Sequence, residues 1–340
     1  MKRNHWVAVL FIAIGFGVVC TQCQKATESR NQTSALSTSA APAKKAVSIG
    51  YQQVPFYRHL FVAQEKGFFK DEKVDVALVP VVSANKMIQA MTAGQLQVTG
   101  LTNLQVALLA EAKDPGRFKL AQMLVWKETS FPDYILVRAG VAIRKIEDLK
   151  GRSLGHHPGS AVKAFAVAVL NAHHVDPKSV RFLELEPAQM QGAIAAGKID
   201  ALYCMDPEAS VIVDKRLATV LMPNPMKEIF QQPVPISGTA LSADFITKDR
   251  SRAVAIVRAL DRAIEYIRRP GTDQEVAVIT AKYVPASPSA IARMNASEYW
   301  MSNEVDAIRV RQLAERFAAL GISPVSVDAG SLLLPRNFAR

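Results

Sequence analysis

Cysteine is scarce in this chain: three occur in 340 residues, and Cys20 and Cys23 both follow the N-terminal apolar run. Cys204 therefore has no partner within the folded region, which excludes a disulfide-stapled scaffold and leaves a small buried apolar residue as its plain reading. Lys/Arg blocks are missing too. The net charge is +11, but the basic residues are scattered and no nucleic-acid-binding motif occurs, so nucleic acid is not expected as a partner. Catalytic signatures such as Gly-x-Ser-x-Gly and His-Glu-x-x-His are absent. His156-His157 and His173-His174 lie at opposite ends of one expected helix, without further ligands at metal-binding spacing. They read as solvated or strand-end histidines, and neither a metal nor a cofactor is expected.

What is present begins with the pattern of an export signal. Lys2 and Arg3 precede an uncharged apolar run from Trp6 to Val19, about fourteen residues where a membrane-spanning helix needs roughly 20. Residues 1–23 are therefore expected to be a cleaved signal peptide. Cys20 and Cys23 stand where a lipid-modified cysteine would follow such a run, but their flanks depart from a lipobox: Gly17 and Val19 precede Cys20, and Cys20 and Gln22 precede Cys23. Ordinary cleavage is the expectation and a lipid anchor at either cysteine the alternative. Residues 24–45 are Ser, Thr, Ala, Gln and Lys with almost no large apolar side chain, a composition that stays disordered as a linker. Lys2 and Arg3 supply two of the +11, leaving +9 on the exported part, a sign that suits an anionic ligand or surface.

The remaining stretch is about half apolar and long enough for one or two cores. Its syntax is βαβ. A strand at Val47 to Gly50 is followed by a helix over Phe56 to Lys66 that stops at Gly67. A strand at Val74 to Val82 ends at Ser83, an N-cap for a helix carrying Met87, Ile88 and Met91, and Leu96 to Gly100 resumes the sheet. The middle repeats this: strand 152–155, helix 161–173, strand 180–185, a helix opened by Pro187 and closed by Gly197, and strand 199–204. The segment MIQAMTAGQLQVTG (87–100) matches MQGAIAAGKIDALY (190–203) at four positions, with Leu96 opposite Ile199, as two lobes built alike would require. After a strand at 240–246 the chain is expected to be helical over 251–268, 272–283, 287–300 and 303–320.

In open α/β sheets ligands bind beyond the carboxyl ends of the strands. That rule selects Tyr51-Gln52, Ser83-Ala84-Asn85, Thr102-Asn103, His156 to Ser160, and Asp206-Pro207-Glu208. Gly159-Ser160-Ala161 opens a long helix whose free N–H groups attract an oxyanion, although by spacing alone Ser160 reads first as the N-cap of its own helix. His157 could contact an anion directly. Asp206 could read a ligand amine or hydroxyl, or cap the helix after it. Of the cluster Phe56, Tyr57, Phe61 and Phe68-Phe69, which reads as core, Tyr57 is the member with a binding role in view.

The runs IGYQQVPFYRHLFVAQEKGFFKDEKVDVALVP, AMTAGQLQVTG, IEDLKGRSLGHHPGSA and AAGKIDALYCMDP resemble the periplasmic substrate-binding proteins of nitrate-, sulfonate- and taurine-type ABC transporters, a group with thiamine-precursor pyrimidine-binding relatives. The resemblance implies an α/β chain with the type-2 periplasmic binding fold: two lobes joined by a hinge, a ligand cleft between them, residues 46–135 plus 238–340 forming one lobe and 136–237 the other. It implies hinge strands near 134–138 and 237–241, and a cleft lined by Tyr51, Gln52, Ser83, Thr102, Asn103, Ser160, Ala161 and Asp206. Two departures bear on the ligand: Met205-Asp206-Pro207 replaces the usual Glu-Pro or Trp-Glu-Pro, and His156-His157 replaces apolar or small residues before Pro-Gly-Ser. The function implied is capture of a small anionic solute by a periplasmic monomer that serves an ABC permease. An enzyme on the same fold, with His157, Asp206 and Cys204 as its candidate groups, and a ligand-sensing accessory protein are the alternatives.

Overall fold

The structure is a computed structural model that describes residues 45–127, 132–294, 298–323 and 327–340. The expected signal peptide, Cys20, Cys23 and all but the last residue of the expected linker lie outside the described residues. Eleven strands are described. They are β1 (Val47–Tyr51), β2 (Val76–Pro80), β3 (Val98–Asn103), β4 (Phe118–Trp126), β5 (Asp133–Arg138) and β6 (Ser153–His156). The rest are β7 (Arg181–Glu184), β8 (Ala201–Met205), β9 (Ala218–Pro223), β10 (Val234–Ser242) and β11 (Glu298–Trp300).

They form two sheets, ordered β11-β4-β10-β3-β1-β2 and β7-β6-β8-β5-β9. Within each βαβ part the pairing is parallel, as the strand–helix–strand syntax requires. The strands that follow a passage from the other sheet are antiparallel: β10 against β3 and β4, β5 against β8 and β9. Both sheets are therefore mixed, and each receives its fourth strand from a crossing connection.

The internal likeness of the sequence is carried into register. Ile49 pairs with Val98 in the first sheet and Leu154 with Ala201 in the second, and Val98 and Ala201 are equivalent positions of the two matched segments. A Cβ on Gly50 would sit 2.6 Å from Leu96 Cδ1, and one on Gly155 would sit 2.9 Å from Ile199 Cδ1. In both lobes a glycine on the middle strand makes room for the aliphatic side chain between helix and strand. A third glycine, Gly100 in β3, leaves space for Tyr57 Cδ1 at 2.8 Å and Leu60 Cδ2 at 3.0 Å.

Helix ends follow local chemistry. Ser83 Oγ accepts from Lys86 N–H at 3.3 Å and caps helix Ala84–Thr92, and Gly67, at φ +75°, takes the left-handed turn after helix Arg58–Glu65. Two expectations are corrected. The strand expected at 240–246 runs from Val234 to Ser242, and Ala243–Lys248 is helical. The helix expected over 287–300 is only Pro288–Ala292, after which Glu298–Trp300 pairs with β4. The stretches expected to be hinge strands, 134–138 and 237–241, lie in strands β5 and β10, as do the expected lobe borders at 135/136 and 237/238. Cys204, on β8, is fully buried and free, and burial pushes its thiol well above the ordinary range, as an inert core residue.

Candidate functional site

The carboxyl ends of β1, β3, β6 and β8 point toward a common cleft. Gln52, Val54, Phe56 and Tyr57 line it from the loop after β1, Asn103 and Val106 from β3 and the helix after it, and Leu124, Trp126 and Ser237 from β4 and β10. The second lobe contributes His157, Pro158, Gly159, Ala161 and Val162 from the loop and helix after β6, and Met205 and Glu208 from the end of β8 onward. The space open to the centre of a water-sized molecule is about 80 Å³, where one water needs roughly 10–15 Å³. That suits a solute of several heavy atoms with an apolar part against Phe56, Leu124, Trp126 and Val162.

The first-lobe wall is set by hydrogen bonds among its own polar groups. Tyr57 donates its hydroxyl to Leu101 C=O at 2.9 Å and lies 3.4 Å from Gln52 Oε1, and burial raises its pKa. Gln52 donates its amide to Val82 C=O at 3.1 Å. On the opposite wall, Gly159 sits at φ +117° and donates its N–H to the Glu184 carboxylate at 2.8 Å. Helix Ser160–Ala172 starts there, and its first turn leaves N–H groups without intrahelical partners. One of them, Ser160 N–H, donates to Asn85 Oδ1 of the other lobe at 3.4 Å, and the Ser160 hydroxyl lies 3.3 Å from the same oxygen.

Of the residues expected in the site, Gln52, Tyr57, Asn103, His157 and Ala161 line the cleft. Ser160 borders it through its contact with Asn85. The others are used elsewhere. Tyr51 packs edge-on against Tyr57, Phe61 and Tyr283. Ser83 is a helix cap, and Thr102 Oγ1 is buried 2.7 Å from Thr99 Oγ1. Asp206 is buried: Oδ1 accepts from Ser210 N–H at 3.1 Å and its hydroxyl at 2.6 Å, and Oδ2 from the Tyr134 hydroxyl at 3.3 Å. The helix-holding alternative for Asp206 is the one its contacts match.

The histidine pair is not solvated as a unit. His156 is buried, with Nδ1 2.7 Å from His157 C=O and its ring edge-on to Phe182. His157 is half-buried as a residue, but its Nε2 is shut off from solvent without a hydrogen-bond partner. Burial, and then the neighbouring His156, holds its pKa down to about 4, so it is neutral at pH 7 and offers an anion a dipole rather than a charge. Among the described residues, no group of three His, Cys, Asp or Glu could hold a metal.

Sequence reasoning placed Asn85 and Glu208 in the strand-end loops without assigning them roles, and it missed Trp126 and Ser237. Glu208 is half-buried, and burial first, then the Asp206 carboxylate, pushes its carboxyl up to about 7. It is the one Asp, Glu, Lys or Arg among the described residues lining the cleft.

Two α/β lobes enclosing a solute-sized cleft between their strand ends define the periplasmic binding-protein class of fold. Residues 55–271 match the family described as NMT1/THI5 like, and the chain belongs to that family. It is 23% identical over 242 residues, 69% of this chain and 70% of the relative, to the Bacillus subtilis protein named "Putative binding protein YtlA". In fold it is similar to the alkanesulfonate-binding protein SsuA of Xanthomonas axonopodis pv. citri, solved bound to MOPS, with a TM-score of 0.69, 19% identity and coverage of 86% of this chain and 99% of that one. It is similar also to the periplasmic nitrate-binding protein NrtA of Synechocystis PCC 6803, with a TM-score of 0.67, 13% identity and coverage of 88% of each.

Proposed function

We propose that the protein is the solute-binding component of an ABC importer. It is exported to the periplasm on a cleaved signal, works as a monomer, and captures a small solute with an anionic group, of the sulfonate, nitrate or taurine-like kind. The observation that carries this reading is the two-sided cleft: Tyr57, Asn103 and Trp126 stand on one lobe and His157, Ala161 and Glu208 on the other. A solute there touches both lobes at once, so its contacts favour the closed form, which is the form presented to the permease. Hinge motion is proposed at the strands that pass between the lobes, 134–138 of β5 and 237–241 of β10.

The anionic group would be held without an ion pair. The described lining has no Lys or Arg, so Gln52, Asn103, Ser237 and the first-turn N–H groups of helix Ser160–Ala172 would serve as neutral donors. The positive charge of the whole chain would act earlier, drawing anions toward the cleft. The fold likeness to alkanesulfonate- and nitrate-binding proteins supports the solute class, and the match to a binding-protein relative supports the role.

A thermal-shift screen against alkyl and aryl sulfonates, nitrate, taurine, carboxylates and pyrimidines tests the reading, because a ligand that binds only the folded state raises its melting temperature. One anionic class is expected to raise it, with a smaller radius of gyration in solution scattering. Ser160→Asp, which places a carboxylate at the helix start, is expected to abolish that shift while leaving the unliganded melt intact. A screen with no shift and no compaction would remove the solute-binding reading.

A further inference from the structure

The cleft that we propose for an anionic solute carries one acidic side chain. Its described lining holds no cation, His157 is neutral, and the one charged side chain is Glu208. Two residues earlier, Asp206 has its carboxylate fully engaged by Tyr134 and Ser210. Glu208 is less engaged: its carboxylate takes a hydrogen bond from its own backbone N–H, and among the described residues no ion pair or hydrogen bond from another side chain is found. Its side chain also borders a second cavity, between Pro187–Gln191 and Pro285–Ala290, so it forms part of the wall between two spaces.

A half-buried carboxyl held only by its own backbone N–H is poorly satisfied, and a further donor brought against it is favourable. A sulfonate or nitrate oxygen brought against it does the opposite. The cleft lining therefore asks for two different groups: an acceptor-rich group toward the first turn at Ala161 and Val162, and a donor toward Glu208.

We infer that Glu208 is the specificity-determining acceptor of the cleft, taking a hydrogen bond from an ammonium or amino nitrogen on a solute whose opposite end is anionic. The solute class is a small zwitterion with its charges separated by a short apolar linker, which the side chains of Phe56, Trp126 and Val162 cover. This inference rests on the solute-binding reading of the cleft and selects within it: amine-bearing sulfonates and carboxylates over simple sulfonates and nitrate.

The raised pKa of Glu208 agrees with this geometry, since a carboxyl near 7 is poised to be ionised by an approaching ammonium group. Glu208 would be missed by position alone because attention falls on the Asp-Pro before it.

Matched solutes that differ by the amino group test the inference. Calorimetric titration of the protein purified from the periplasm of an expression host would use taurine against ethanesulfonate and β-alanine against propionate. The amino member of each pair is expected to bind at least tenfold more tightly. Glu208→Gln is expected to reduce that ratio to threefold or less without lowering affinity for the member that lacks the amine, and Glu208→Asp, which keeps the charge, to preserve part of it. Equal affinities within each pair, tighter binding of the amine-free members, or a preference that survives Glu208→Gln would overturn the role of Glu208 and leave the cleft a solute site. If none of the four binds but the wider screen finds a solute without a donor nitrogen, the inference falls and the solute-binding reading stands. No binding by any compound removes both.

Discussion

Asn85 and Ser160, on different lobes, meet across the mouth of the cleft. Asn85 Oδ1 accepts from the Ser160 N–H at 3.4 Å, and the Ser160 hydroxyl either donates to that oxygen at 3.3 Å or accepts from Asn85 Nδ2 at 3.2 Å. A first-lobe side chain thus caps a second-lobe helix in trans, and the contact exists only while the lobes are together. Asn85→Ala removes one or two hydrogen bonds from the closed form, each worth about 0.5–1.5 kcal/mol net. The closed-to-open ratio is expected to fall roughly two- to tenfold for each bond lost, read as a longer distance between fluorophores placed on the two lobes. An unchanged distance distribution would show that closure does not depend on this pair.

Asp206 is expected to act on stability rather than on solute choice. Asp206→Ala leaves the Tyr134 hydroxyl and the Ser210 N–H without their shared acceptor, and buried groups left unsatisfied cost about 1–3 kcal/mol. The melting temperature should drop by several degrees while relative affinities within a solute panel stay the same. A collapse in affinity with an unchanged melt would make Asp206 a ligand-binding residue after all.

Asp133, at the start of β5, carries a pH signature. Its Oδ2 accepts from the Tyr203 hydroxyl at 3.2 Å and Met226 N–H at 3.1 Å, its Oδ1 is buried without a partner, and burial pushes its pKa up to about 7. A raised carboxyl pKa means that the folded state holds the proton more tightly than the unfolded one. Stability from this group is full below about 4 and is lost as pH rises through 7. His59 and His157, held down to about 3 and about 4 by burial, contribute the opposite slope, present above 6.5 and lost as pH falls through those lower values. Between pH 6.5 and 8 the carboxyls dominate, so Asp133→Asn should flatten the decline in stability by on the order of 1 kcal/mol. Glu208, raised in the same direction, leaves a residual slope. Denaturant titrations at the two pH values check this, and parallel slopes in variant and wild type would contradict it.

Two glycines should respond in opposite directions to the same substitution. Gly100→Ala drives a methyl group to 2.8 Å from the Tyr57 ring, an overpacking that costs about 1–3 kcal/mol and displaces a cleft residue, so both the melt and solute affinity should weaken. Gly192 lies within helix Pro187–Ala195 with nothing near its added Cβ. Gly192→Ala should therefore raise stability by about 0.5–1 kcal/mol and leave affinity unchanged.

Much of the fold was legible where the signal was local. The Ser83 cap, the Gly67 turn and the glycine-terminated helices of both βαβ parts came from residues adjacent in sequence, and the match of 87–100 to 190–203 foreshadowed the shared register of β3 and β8. What escaped was decided by distant partners. Glu298–Trp300 becomes a strand because β4 is there to pair with it, although its residues continue a helical pattern. β10 begins at Val234 despite Pro233 and Pro235, because β4 pairs with it from that residue on. In the site, strand-end loops were readable from the βαβ rule, but Trp126 and Ser237 enter the cleft from the crossing strands, to which that rule does not apply. Asp206 and Glu208 were adjacent candidates, and only tertiary contacts with Tyr134 and Ser210 separate the engaged carboxylate from the available one.

The exchange of strands between sheets also sets an order of assembly. The five strands of the second sheet occupy an uninterrupted stretch, 133–223, whereas β10, which sits between β3 and β4, is the tenth strand to emerge. As the chain is threaded out, the later sheet can complete itself while the earlier one waits with a vacant slot. Until residue 242 is free, β3 and β4 present open backbone to any strand that arrives, and a chain cut short before Val234 would carry that template permanently. The lobe that is encoded first is the lobe that finishes last.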